Sequence, residues 1–305
     1  MEQEELRTGN AMSRETFFGL NRRAFATTLV TLATSIVAYP HTSKANPADI
    51  RFGLTPVFLT SDLELLDRLQ TYLSLATGAP INLITRRTYQ EIIALLISRQ
   101  IDAAWICGYP YVMHATELQL VAVPQWRGEP LYQSYLIVDA DRRADRLADL
   151  KGDVHAFSDP DSNSGFLVTR AALAEAHTRP ETFFGRTFFT YGHRNVIRAV
   201  ASGLAASGSV DGYVYDVVAE MEPELTARTR ILRRSEWLGF PPIAAPRAAL
   251  DKEYLARLSA ALLNMSEDAD GRAILAMLRL DGFVREDAAL FDTIAAKAAI
   301  VATEG

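Results

Sequence analysis

From Asp49 onward, short apolar runs alternate with segments whose apolar positions recur every three or four residues. The run "IRFGLT" (50–55) predicts a strand that ends in a Thr-Pro turn. Ser61 with Glu64 three residues on matches a capping box. Leu66, Leu69, Leu73 and Ala76 then supply one apolar face of a helix that Gly78 stops. "INLITRR" predicts the next strand, Tyr89 to Arg99 the next helix (through Tyr89, Ile92, Ile93 and Leu96), and "IDAAWICG" a third strand. Strands joined through helices form a parallel sheet covered on both faces.

A second unit repeats the theme. "LYQSYLIVDAD" (131–141) is a long extended run, and "VHAFSD" is a strand whose turn leads into a helix from about Phe166 to Ala176. "RTFFTYG" predicts a strand, "NVIRAVASGLA" a helix, and "VDGYVYD" another strand. The chain returns through "RILRRSEWLGFPPIAAP" and finishes in three helical patterns near 251–265, 267–280 and 286–302. Two extended passages, near 131–138 and 231–245, join the units. The expectation is an α/β protein of two βαβ lobes on a two-strand hinge, lobe one from 46–131 plus 239–305 and lobe two from 132–238. Ligands in open α/β sheets bind beyond the strand carboxyl ends, so the site falls between the lobes.

Charge and composition narrow this picture. A formal net charge of −6 argues against nucleic acid as a partner, because phosphate binding needs clustered Lys and Arg. The first 45 residues read as an export signal: Arg22 and Arg23 precede a mildly apolar run, and Ser43 and Ala45 suit a signal peptidase. "NRRAF" partly matches a twin-arginine signal, and an ordinary secretion signal stands beside it as an equal reading. Both lead to the periplasm. Outside the cytoplasm cysteines come mostly in pairs, yet Cys107 is the only cysteine of the chain. It is either sealed in the core or kept for its chemistry.

The richest motif is "AFSDPDSNSGFLVTR", where Ser162, Asn163, Ser164 and Gly165 stand at a helix start. Free N–H groups and the helix dipole there suit an oxyanion; the plainer role is N-capping by Ser162 or Ser164. His193, in "TYGHRNV", follows a strand and precedes a helix, either as an oxyanion donor or as a surface or capping residue.

Taken together, "LKGDVHAFSDPD" with "SNSG", the "GH" about 30 residues on, and "VDGYVYD" resemble the phosphonate/phosphite-binding family of periplasmic binding proteins, over roughly 49–280. The resemblance implies the type II bilobal fold. It implies that Ser162, Asn163 and Ser164 hold the oxyanion, that His193 is the family histidine and that Tyr132 opens the first hinge strand. It also implies that Tyr215 or Asp216 reaches the cleft. Family members more often have Thr where Asn163 stands. "AWICGYPYV" with Cys107 is similar to the arsenite-sensing branch (AioX type), in which a single cleft cysteine binds arsenite and the closed protein signals to a membrane sensor histidine kinase. That likeness implies an arsenic(III)–sulfur bond at Cys107. The other ligand is a phosphorus oxyanion handed to an ABC permease.

No cofactor is implied. His114, His155, His177 and His193 show no metal-ligand spacing, and there is no Gly-x-Ser-x-Gly elbow. A Cys107/His193 nucleophilic pair lacks an evident third member, so the expectation is a binding protein and not an enzyme.

Overall fold

The computed structural model describes residues 49–56, 63–248 and 252–303. The leader expected over 1–45 and Ser61 of the expected capping box lie outside them. Thirteen strands are described: β1 Ile50–Leu54, β2 Ile81–Thr85, β3 Ala103–Trp105, β4 Leu118–Gln125, β5 Leu131–Tyr132, β6 Ser134–Asp139 and β7 Val154–Phe157, then β8 Arg186–Phe189, β9 Ser207–Asp211, β10 Thr229–Arg234, β11 Leu238–Gly239, β12 Ile243–Pro246 and β13 Gly282–Val284.

The first sheet runs β13-β4-β12-β3-β1-β2. Its β2-β1-β3 half is parallel, as the βαβαβ pattern predicts, whereas β12 and β13 enter antiparallel. The helix Tyr89–Ile97 shows why this half forms. Thr88 and Glu91 make a reciprocal capping box, and Tyr89, Ile92, Ile93 and Leu96 are buried on one face. Each such side chain contributes ~1.5–3 kcal/mol by leaving water. Gly53 of β1 lets that helix and the chain after it approach, since a Cβ there would lie 3.3 Å from Ile92 Cγ2 and 2.6 Å from Ile101 Cδ1.

The second sheet runs β10-β6-β9-β7-β8, with β7 parallel to β8 and β9, and β6 and β10 antiparallel. Between the lobes, β5 and β11 pair antiparallel, Tyr132 opposite Leu238. The long run from 131 is therefore two strands broken at Gln133, whose carbonyl accepts the Gly212 N–H at 2.8 Å.

Three local expectations change. "VDGYVYD" is not one strand: β9 ends at Asp211, whose carboxylate accepts the Val214 N–H and starts a helix, Gly212–Met221. The helix expected from Phe166 is preceded by a π-helical turn, Asn163–Leu167, and becomes regular over Val168–Glu175. The last helix, Asp292–Ala302, packs on both lobes: on the helix Gly108–Met113 and on β11, and also on Val168–Glu175 and the Asn163–Leu167 turn. Among the described residues no helix is long and apolar enough to cross a membrane.

Candidate functional site

Across the hinge the carboxyl end of β3 meets those of the parallel neighbours β7 and β9, and the residues just beyond them build the site. After β3 come Ile106 and then Cys107, at the N-cap of Gly108–Met113 and 2 % exposed. Its sulfur accepts the backbone N–H of Asn163 from the other lobe at 3.2 Å. Burial pushes the thiol up to about 12, although the N–H groups of Asn163, Tyr109 and Gly108 oppose the shift. Cys107 thus faces the cleft as a protonated thiol, not as a free thiolate.

After β7 comes the polar turn. The Ser162 hydroxyl accepts the Gly165 N–H at 2.9 Å, so Ser162 is the capping residue. Asn163 is fully buried; its Nδ2 donates to the Tyr132 hydroxyl at 2.8 Å and its Oδ1 has no partner. Ser164 Oγ and Ser158 Oγ are likewise buried without a hydrogen-bond partner. Gly165 has no room for a side chain, because a Cβ there would sit 1.8 Å from Ser158 Oγ. Buried polar atoms left unpaired cost free energy, and these three belong to the one turn that follows β7.

His193 opens the helix His193–Ala201 and is 2 % exposed. The Asp211 N–H donates to its Nδ1 at 3.0 Å, which places the ring proton on Nε2, 3.3 Å from the Tyr89 hydroxyl of lobe one. Burial drives the imidazole down to about 3, so it stays neutral. Accepting from His193, Tyr89 keeps its own hydroxyl proton to donate, and burial raises its phenol well above the ordinary value. Asp211 is 1 % exposed, and burial pushes its carboxyl up to about 7 against the N–H groups of Val214 and Tyr213.

The structure brings Cys107, Tyr132, Asn163, Ser164 and His193 together, with Ser162 and Gly165 shaping the turn beneath them. It does not bring Asp216 or Tyr215. Both lie on the helix Gly212–Met221 and not at a strand end: Asp216 pairs with Arg127 at 3.1 Å, and the Tyr215 hydroxyl bonds Thr229 at 2.9 Å. Asp211 holds the strand end instead. Sequence reasoning missed Tyr89, Ser158 and Asp211; the strand-end rule that located Cys107 would have found the latter two. Among the described residues no Lys or Arg is buried, and no group of three or more His, Cys, Asp or Glu could hold a metal ion.

Two lobes on a two-strand hinge, closing on a buried polar cleft at strand ends, define a bilobal solute-binding protein. The family model for the ABC transporter, phosphonate, periplasmic substrate-binding protein matches residues 52–291, and the chain belongs to that family of binding proteins. It is similar to the phosphate-import protein PhnD of Mycolicibacterium smegmatis, with 30% identity over 142 residues, which are 44% of this chain and 44% of that one. The chain thus spans less than half the length of that relative. Among solved structures it is similar to a binding protein component of an ABC phosphonate transporter from Pseudomonas aeruginosa (TM-score 0.76, 22% identity, 84% of this chain and 89% of that one). PhnD1 from Prochlorococcus marinus in complex with methylphosphonate gives a TM-score of 0.73 at 17% identity, over 83% of this chain and 98% of that one. These likenesses show the fold, the two-lobed type II arrangement.

Proposed function

We propose that this protein captures a small phosphorus oxyacid (phosphite, phosphate or a simple phosphonate) in the interlobe cleft, in the periplasm, and presents it to an ABC permease. The observation that carries this reading is the unpartnered set Ser158 Oγ, Asn163 Oδ1 and Ser164 Oγ, buried beside the Tyr89 and Tyr132 hydroxyls. Hydroxyls donate to the ligand's unprotonated oxygens, while Asn163 Oδ1 and Asp211 accept from an oxygen that bears a proton. With no Lys or Arg buried among the described residues to neutralise a second charge, the ligand enters with at least one proton still attached. Family membership and the methylphosphonate bound to the Prochlorococcus relative support the same class.

A second reading rests on Cys107, whose sulfur stands in the donor ring at 3.2 Å from the Asn163 N–H. In it the thiol exchanges for one hydroxyl of arsenous acid: an S–As bond forms, an As–O bond breaks, and the thiol proton leaves with the hydroxyl as water. The closed protein then signals to a membrane sensor histidine kinase. Calorimetric titration of the reduced protein with phosphite, phosphate, methylphosphonate and arsenite separates the two. Saturable binding of a phosphorus acid, retained in Cys107→Ser, is the expected result. Binding of arsenite alone, abolished by Cys107→Ser in a folded protein, replaces the first reading with the second.

A further inference from the structure

The cleft closes against its rim through a contact that no ligand chemistry requires. Helix Tyr89–Ile97 belongs to lobe one, and its own residues cap part of its amino end. Thr88 Oγ1 accepts the Glu91 N–H at 3.3 Å, and Glu91 takes the Thr88 N–H at 3.0 Å. The N–H of Tyr89, the first helical residue, is left over, and its partner comes from the opposite lobe. Asp159, fully buried two residues beyond the end of β7, accepts it on Oδ2 at 3.2 Å.

The same carboxylate is rigidly held. Its Oδ1 accepts the Asp161 N–H at 2.9 Å, and the Asp159 carbonyl accepts the Ser162 N–H at 3.0 Å, so Asp159 is built into the turn that carries the oxyanion residues. Beside it, burial raises the Asp161 carboxyl, and the Gln90 side chain of the helix lies close enough to oppose that shift. A carboxylate at a helix amino end also meets the positive end of the dipole.

We propose that Asp159 is a positioning residue for capture: by capping the lobe-one helix across the cleft it holds the lobes shut and aims the Tyr89 hydroxyl at His193. It bonds the Tyr89 backbone N–H and not the Tyr89 hydroxyl, and the inference rests on the cleft being the binding site, not on which oxyacid enters it. Closure is then partly written into the protein. Ligand adds its differential affinity to a latch that already favours the closed arrangement.

Cys107 provides a readout that needs no ligand, because its sulfur is enclosed between the lobes and Asp159 does not contact it. Alkylation of the ligand-free protein by iodoacetamide tracks the population of the open form when opening and closing are fast. Asp159→Ala removes the acceptor. Asp159→Asn keeps an amide oxygen for the Asp161 N–H, and hence the turn, while removing the charge. Faster alkylation is expected in both, about tenfold in Asp159→Ala and less in Asp159→Asn, with wild-type circular dichroism. Small-angle scattering should show a larger radius of gyration in the alanine variant. Wild-type alkylation rates in both folded variants would overturn the proposal. Should Asp159→Ala fail to fold, Asp159→Asn decides alone on the same criterion. Phosphite added to the wild type is the separate arm: if it fails to slow alkylation, phosphite capture falls, while the ligand-free comparison still judges the latch.

Discussion

Asp211 ends β9 with its carboxyl pushed up to about 7 by burial, and that shift has a definite sign. An acid whose folded pKa lies above its unfolded value, about 3.9, binds its proton more tightly when folded. Stability is therefore lost as pH rises from about 4 through about 7. His155 and His193, both held down to about 3 by burial, act in the opposite sense, since protons bind the unfolded chain as pH falls through about 6.5. Comparison with Asp211→Asn cancels the histidines: the wild type should lose thermal stability relative to the variant across that rise in pH. Gly165→Ala is the steric counterpart. Its Cβ falls 1.8 Å from Ser158 Oγ, and overpacking of this kind costs ~1–3 kcal/mol, readable as a lower denaturation midpoint together with lost binding. At this scale Ser162, Asn163, Ser164, Gly165 and His193 were legible because so many polar residues at helix starts exceed what capping uses. Tyr89 was not, since an aromatic on the apolar face of a helix carries the same pattern whether or not its hydroxyl points into a cleft.

Among the elements, the helix Asp292–Ala302 departs furthest from expectation. Amphipathic spacing announced it, but periodicity says which face is buried and not against what, and this helix divides its face between two lobes. Phe291, at its N-cap and 1 % exposed, lies 4.8 Å from the Tyr111 ring and against Gly108 and Gly239, one beside Cys107 and the other in the hinge. Phe291→Ala should destabilise the protein by ~3–5 kcal/mol, measured by urea denaturation, and weaken binding because the hinge loses its packing. β4 was missed for a different reason. "LQLVAVPQ" carries strand signals, but its Pro124 weakens them, and it is tolerated because β12 pairs no further along β4 than Ala122, which leaves Pro124 paired on one side alone. "VDGYVYD" misled because its alternating apolar and polar residues satisfy period two, while the Asp211 cap that turns it into a helix requires one hydrogen bond to the Val214 N–H.

For the whole molecule, the two-lobed plan was legible because two βαβ patterns were separated by two extended passages, and β5 and β11 pair within those passages. Its closure was not legible, because contacts between lobes join residues far apart in sequence with no local signal. Three ion pairs also bridge the lobes or flank the hinge: Arg127 with Asp216, Arg279 with Glu220, and Lys297 with Glu236. Each has a partner substantially open to solvent, and such pairs contribute ~0–1 kcal/mol. Raising salt from about 0.1 M to about 1 M should therefore leave the radius of gyration of the closed form unchanged, although surface pairs are screened.

The strand order of the first sheet has a further consequence, for the birth of the molecule. β12 lies between β3 and β4, so the middle of that sheet stays empty until residues 243–246 exist, whereas every strand of the second sheet lies between 134 and 234. A chain emerging from the ribosome amino end first therefore has all of its later lobe in hand while its earlier lobe is still missing a central strand. The half of the protein that is made first is the half that is finished last.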